Sequence, residues 1–326
     1  MRNNMLSDKL KQRFCKDYNV PLKIYIEPVF TNRIELFGFK DLYNKFEEMV
    51  INDFNSNEKE FLDYYDKIKE EAIEFIKNTD TYKILNKCDI SNYDIKDKGS
   101  LSIPQKDVYK ENNIGRSFVS IDLRKANYTS LKIFEELFGK IYTADFPNTY
   151  EEFIKQFTPY DYFVNSKYLR QVIFGNCNPK RQIKIEKWYM NRIVRNYIPE
   201  EIVYSMNNNE IILDADKVTS EIMDLLKTKL DSNKFKIEEF SLEKIKGSDT
   251  FIKRFKDNSY ELKCMPVFDA VFIYKFLNNQ KYTRDDRLFI TSENRLAEYI
   301  DIPQFEIIKE ENNIKNINDE ENIELD

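Results

Sequence analysis

The chain of 326 residues contains no histidine. That absence removes Ser–His and Cys–His nucleophile pairs, the helical zinc-protease signature and imidazole acid–base catalysis. Only six glycines are present. None falls in a Walker or dinucleotide-binding pattern, so a glycine-rich phosphate loop is not expected. The four cysteines, Cys15, Cys88, Cys177 and Cys264, lie far apart, and no two have zinc-ligand spacing. No apolar run reaches the length of a membrane span. The residues before Cys15 are polar and charged rather than a secretory signal, so the expectation is a cytoplasmic chain with free thiols and no membrane association. If the protein is an enzyme, its chemistry comes from carboxylates, lysines, tyrosines or a bound hard metal, and carboxylates suit Mg²⁺ or Mn²⁺.

What is present is a substantial core. The chain is 41% hydrophobic and holds 25 Phe and 21 Tyr, enough for one large domain or two ordinary ones. The net charge of −6 argues against a uniformly basic nucleic-acid coat but leaves room for a local basic groove. The abundance of Asn, Ile and Lys corresponds to AT-rich codons, as in an AT-rich bacterium, a phage or a large virus, which places the chain in a bacterial or virus-infected cell.

Along the chain, residues 5–18, 40–53 and 57–78 have helical apolar spacing. Residues 22–37 alternate and read as extended, with Pro28 interrupting. Residues 86–113 read as a loop region that separates an N-terminal, mostly helical part (1–110) from an α+β domain (111–308). The acidic, Asn-rich 309–326 reads as a solvated tail. Within the α+β domain, Phe118, Val119 and Ile121 make a buried strand that delivers Asp122 at its end. Leu131, Phe134, Leu137 and Phe138 then follow at helical spacing, and the helix is expected to stop at Gly139. Asp122 is either a metal ligand at a sheet edge or an N-cap of that helix. Residues 160–182 are basic and aromatic, and the helix after them adds more cations. Lys167, Arg170, Lys180, Arg181, Lys184, Lys187, Arg192 and Arg195 form a patch suited to phosphates and bases; the competing reading is a solvated helix face. Residues 201–213 read as a β-hairpin around Asn207-Asn208-Asn209, with Glu210 opening its second strand. Residues 217–230 read as a helix, and 235–245 and 250–263 as strands.

The succession of strand with Asp, basic helices, hairpin with an acid, helix and strand resembles the palm of the right-handed nucleic-acid polymerases, including reverse transcriptases and the bacterial repair-polymerase class. Val119-Ser120-Ile121-Asp122-Leu123-Arg124-Lys125-Ala126 is similar to the motif that ends a palm strand with a catalytic Asp. Ile202–Ile212 is similar to the metal-binding hairpin, and Tyr168–Gly175 to the motif that grips the incoming nucleotide. The resemblance covers roughly residues 115–265. It implies a palm-like antiparallel sheet with helices packed on one face, and Mg²⁺ or Mn²⁺ held by Asp122 and Glu210. It also implies nucleic acid and nucleotides as partners, with Arg170, Lys180, Arg181, Lys184 and Arg192 on phosphates. The chain departs from the pattern at Asn209, where the family carries Asp, and a neutral amide cannot replace a carboxylate on the metal. Asp214 and Asp216 follow farther down the hairpin. Two functions therefore stand. One is a metal-dependent, nucleic-acid-directed nucleotidyltransferase, active or degenerate. The other is a non-catalytic phage or mobile-element protein that binds nucleic acid or a host protein.

Overall fold

A computed structural model describes residues 6–88, 106–138, 145–291 and 293–310. The protein is α+β, and its chain divides into two units that interleave along the sequence. One unit gathers residues 1–76, 151–177 and 265–305, and the other 77–150, 178–264 and 306–326. A division read along the sequence, at 110 and 308, does not express this interleaving. No helix among the described residues is long and apolar enough to cross a membrane.

The first unit is helical. It contains α1 (Asp8–Asp17), α2 (Val29–Leu36), α3 (Lys40–Asp53) and most of α4 (Glu58–Asn78). Residues of α7 (Tyr150–Ile154), α8 (Asp161–Asn165), α9 (Lys167–Gly175) and α12 (Ala270–Leu277) complete it, with a small β7 (Leu288–Ile290)–β8 (Leu296–Glu298) ribbon. Its core is aromatic. Phe46 stacks on Tyr162 with ring centroids 4.7 Å apart, and Phe61 stacks on Phe163 at 5.7 Å, a favoured geometry for such pairs. The extended reading of 22–37 is corrected here. Val29, Phe30, Arg33 and Ile34 are the buried positions of α2, spaced for one helical face. Arg33 donates to the backbone carbonyls of Asp285 and Leu288, both at 2.7 Å, so burial at helical spacing overrides the strand-like alternation of the local sequence.

The second unit carries the sheet. After α5 (Asp80–Lys87) come β1 (Ser117–Leu123), α6 (Ala126–Phe138), α10 (Pro179–Tyr197), β2 (Val203–Met206), β3 (Glu210–Asp214), α11 (Ser220–Lys229) and β4 (Phe235–Lys246). The strands are ordered β2-β3-β1-β4, and those pairings are antiparallel. With the helices between them, this is the β-α-β-β-α-β split arrangement of ferredoxin-like folds. β5 (Phe251–Phe255) and β6 (Tyr260–Lys263) extend the sheet beyond β4, and β9 (Glu306–Ile308) pairs with the far end of β4.

The period-2 alternation of β1 sorts its side chains onto two faces. Val119, Ile121 and Leu123, with Ile211 and Leu213 of β3, are buried on the helix-covered face. α10 belongs to that layer: its Tyr189 stacks on Phe235, the register partner of Leu123, with ring centroids 5.9 Å apart. The opposite face carries Phe118, Ser120 and Asp122. Its Phe118 end is closed by an apolar cluster of Val108, Ile114, Ile212, Phe240, Leu242, Phe251 and Ile308. Gly115 leads into this end with φ +83°, and a Cβ there would stand 2.9 Å from the Lys309 carbonyl oxygen, so both the turn and the close approach require glycine. The 309–326 tail beyond Glu310, the 86–113 loop between 89 and 105, and the Gly139 stop lie outside the described residues.

Candidate functional site

The charged end of the open sheet face is built around a pair of carboxylates. Asp122 is the next-to-last residue of β1, and its direct cross-strand partner on β3 is Glu210. Cross-strand partners on one face have Cβ atoms only about 4.5–5.5 Å apart, so the two acids crowd each other. The hairpin that presents Glu210 is closed by Asn207. Its side-chain oxygen accepts from the backbone N–H of Asn209 at 3.0 Å and of Glu210 at 2.8 Å. The turn is therefore an Asx turn; none of the three asparagines takes a positive φ. The Asn209 carbonyl accepts from Leu123 N–H at 2.9 Å and locks the hairpin to the end of β1.

The helix-cap alternative for Asp122 does not describe this geometry. α6 begins at Ala126, after a turn through Lys125 with φ 47°. Asp122 is still in β1, four residues earlier, and its side chain shares the sheet face with Glu210.

Lysines surround the pair. Lys236, the register partner of Asp122 on its other side, contacts Glu238 at 2.6 Å and Glu261 at 3.7 Å. Lys253 of β5 is buried and reaches Glu210 at 3.4 Å. In register Lys253 lies opposite Leu242, well along the sheet from Glu210, so this ion pair runs diagonally and requires a strongly coiled sheet. Its ammonium also sits 4.4 Å from the centroid of the Phe240 ring, a further attraction for the buried charge. Lys263 pairs with Glu261 at 2.9 Å. Burial, and next the charge of Glu210, push the Asp122 carboxyl up to about 6, while Lys253, Lys236 and Lys263 draw it down without reversing the shift. Nothing in the local sequence around Lys253 or Lys236 marks them; the alternation of β4 and β5, set in register with β1, is the one signal that places them on this face.

The remaining candidates lie elsewhere. Asp214 is at the other end of β3, opposite Phe118, and is held by Arg116 at 3.1 Å and Lys217 at 3.7 Å. Arg181 donates to the carbonyl oxygens of Leu85, at 2.7 Å, and Cys88. It closes the C-terminal end of α5, where unsatisfied carbonyls and the helix dipole favour a cation. Lys180, Lys184 and Arg192 are exposed on α10, in the helix layer, and the open sheet face with Asp122 is on the other side of the sheet. Together with Lys187 they have no carboxylate partner among the described residues. Arg170 is half-buried on α9, in the helical unit.

The donor chemistry decides what metal the acids can take. Two carboxylates on one face offer hard oxygen ligands, and the upward shift of Asp122 records its burial first and the Glu210 charge second. Among the described residues, however, no group of three or more acidic, Cys or His side chains could hold an ion. Asp122 and Glu210 are two carboxylates, too few for the paired ions of a two-metal centre. Comparison with protein-family models, with curated proteins and with solved structures finds no match for the chain.

Proposed function

We propose that the open sheet face carries out metal-dependent nucleotidyl transfer onto nucleic acid, in the manner of a reduced polymerase palm. The observation that supports this reading most is the direct register of Asp122 with Glu210 on adjacent strands of a split β-α-β-β-α-β sheet. Asp122 and Glu210 would hold one Mg²⁺ or Mn²⁺, which when bound polarises a phosphoryl oxygen. Lys253, set against Phe240, places its ammonium beside Glu210. It supplies part of the compensation that a second metal provides elsewhere, and it stabilises negative charge developing on a transferred phosphate. Lys236 carries a second cation to the other side of Asp122.

Calorimetric titration with Mn²⁺ tests the reading. The expected result is one saturable site in the wild type, lost in both Asp122→Asn and Glu210→Gln, with nucleotide incorporation on a primed template lost in the same variants. A wild type that binds no Mn²⁺, even with nucleotide and primed template present, overturns it.

A second reading, nucleic-acid binding without catalysis, draws on α10. Lys180 stands in the first turn and Lys184 in the next, at the positive end of the helix dipole. A cation in the first turn, as Lys180 is, costs about 0.3–1 kcal/mol, a cost that a bound phosphate would offset. Arg192 lies over the Trp188 ring at 5.6 Å, leaving an aromatic and a cation side by side for nucleic acid. Replacing Lys180, Lys184 and Arg192 together by Ala is expected to weaken binding to single-stranded nucleic acid and to flatten the salt dependence by about two log units per decade. An unchanged salt slope removes α10 from the interface. Retained incorporation activity in this triple variant would assign the two layers to separate roles.

A further inference from the structure

The helical unit contains a cavity of about 650 Å³ between α1, the segment that follows it, α9 and the β7 end of the small ribbon. The chain has 57 acidic against 51 basic residues, yet no described carboxylate lines this cavity. Three lysines do: Lys16 from α1, Lys23 from the following segment and Lys167 from the first turn of α9. None of the three has a carboxylate partner among the described residues. Elsewhere in the same unit the lysines are commonly paired, as Lys11 is with Glu27 at 2.6 Å and Lys69 with Asp66 at 2.6 Å.

These are three exposed lysines without a carboxylate partner along one concavity; their ammonium groups repel one another, and an anion bound there relieves that repulsion. Lys16 is steered into place by the Tyr168 ring, 4.1 Å from its centroid. Gln171 and Asn19 add amides that both donate and accept, suited to fixing the orientation of a polar ligand. Val20, Leu22 and Ile290 give the cavity an apolar wall. The volume falls in the range of small-molecule sites. Cys15 also lines it but is buried, and burial pushes its thiol up to about 12. A protonated thiol is neither nucleophile nor metal ligand, so the cavity is built for binding.

We infer that this cavity binds a nucleoside triphosphate, its phosphates on Lys16, Lys23 and Lys167 and its base against the apolar wall. The inference is independent of the acid pair on the sheet and stands or falls without it.

Equilibrium titration of the full chain with ATP, GTP, inorganic triphosphate and the free nucleosides tests the assignment in metal-free buffer. Saturable nucleoside triphosphate binding is expected, weakened about tenfold or more in Lys16→Ala with Lys167→Ala. The same loss is expected in Gln171→Glu, which puts a carboxylate into the cavity from an exposed position and leaves the fold intact by circular dichroism. Asp122→Asn is expected to leave this binding unchanged. Inorganic triphosphate binding as tightly as the nucleotides would overturn the assignment of the wall to a base. Absence of any binding, binding indifferent to both cavity variants, or binding lost only in Asp122→Asn would overturn the site.

Discussion

Asp122→Asn is expected to stabilise the sheet unit at neutral pH, even though it removes half of the proposed metal site. The folded protein holds the Asp122 carboxyl at about 6, above the 3.8 of an ordinary aspartate. Between those two values the folded state binds a proton that the unfolded chain has released, so stability falls as pH rises from about 4 to about 6. Above pH 6 the full penalty of an ionised Asp122 beside Glu210 is present. A shift of this size is worth at most about 3 kcal/mol. Asp122 is only partly withdrawn from water, so screening reduces this to about 1–2 kcal/mol. The amide carries no charge at any of these pH values, and the variant should gain over the wild type progressively from pH 4 to a plateau above pH 6. The single tryptophan, Trp188, lies on α10 of the same unit and reports urea unfolding directly. Equal midpoints for wild type and variant at pH 7 would show that Glu210 and burial do not press on Asp122. Added Mn²⁺ should reverse the order, stabilising the wild type alone.

The second large effect belongs to the helical unit. Asp17, at the end of α1, is fully buried. One of its oxygens accepts from the Tyr65 hydroxyl at 2.9 Å and from Ser166 at 2.8 Å, and the other accepts from Tyr162 at 2.5 Å. Burial raises its carboxyl above the usual range, while the hydrogen bonds from Tyr162 and Ser166, the Arg13 charge and the Tyr65 hydrogen bond act the other way. The three donors come from α4, from α8 and from the residue that caps α9, where Ser166 also accepts from Leu169 N–H. Asp17→Ala leaves buried hydroxyls without an acceptor and opens a void between these elements. The expected loss is about 3–5 kcal/mol, read as a lowered thermal midpoint by circular dichroism and as new protease cleavage within 1–76. Asp17→Asn keeps the shape and one acceptor oxygen and should lose much less. An Ala variant as stable as the wild type would show that the network does not hold the unit together.

How far the sequence discloses this arrangement depends on the range of the interaction. The strand from Phe118 to Asp122, the helix after it and the hairpin before Glu210 are local patterns, and all three elements form. The apolar stripe of α4, with Phe61, Tyr65, Ile68, Ala72 and Ile76, is buried as its spacing requires. Interactions between distant segments are not legible in this way. Lys253 is placed beside Glu210 only by the coil of the sheet. Arg181 reads as a free cation until the carbonyls of α5 claim it. Lys180, Lys184 and Arg192 belong to a helix whose inner residues face the sheet, so their outward direction follows from which face of β1 the helix covers. Residues 22–37 read as extended, yet the burial of Val29–Leu36 follows helical spacing and Arg33 is tied to carbonyls some 250 residues away.

The interleaving of the two units has a consequence for how the protein comes into being. β1 is the central strand of its unit, but its partners Glu210 on β3 and Phe235 on β4 arrive 88 and 112 residues after Asp122 and Leu123. The helical unit in turn waits for residues 265–305. During synthesis neither unit has its full set of partners until nearly the whole chain has emerged, so co-translational folding of one unit ahead of the other is not available to this topology. Such long-range closure slows folding and leaves β1 with two unpaired edges for most of the time the chain is being made. Until those partners arrive, the charge of Asp122 near the end of β1 is what the nascent strand itself carries against pairing with another copy.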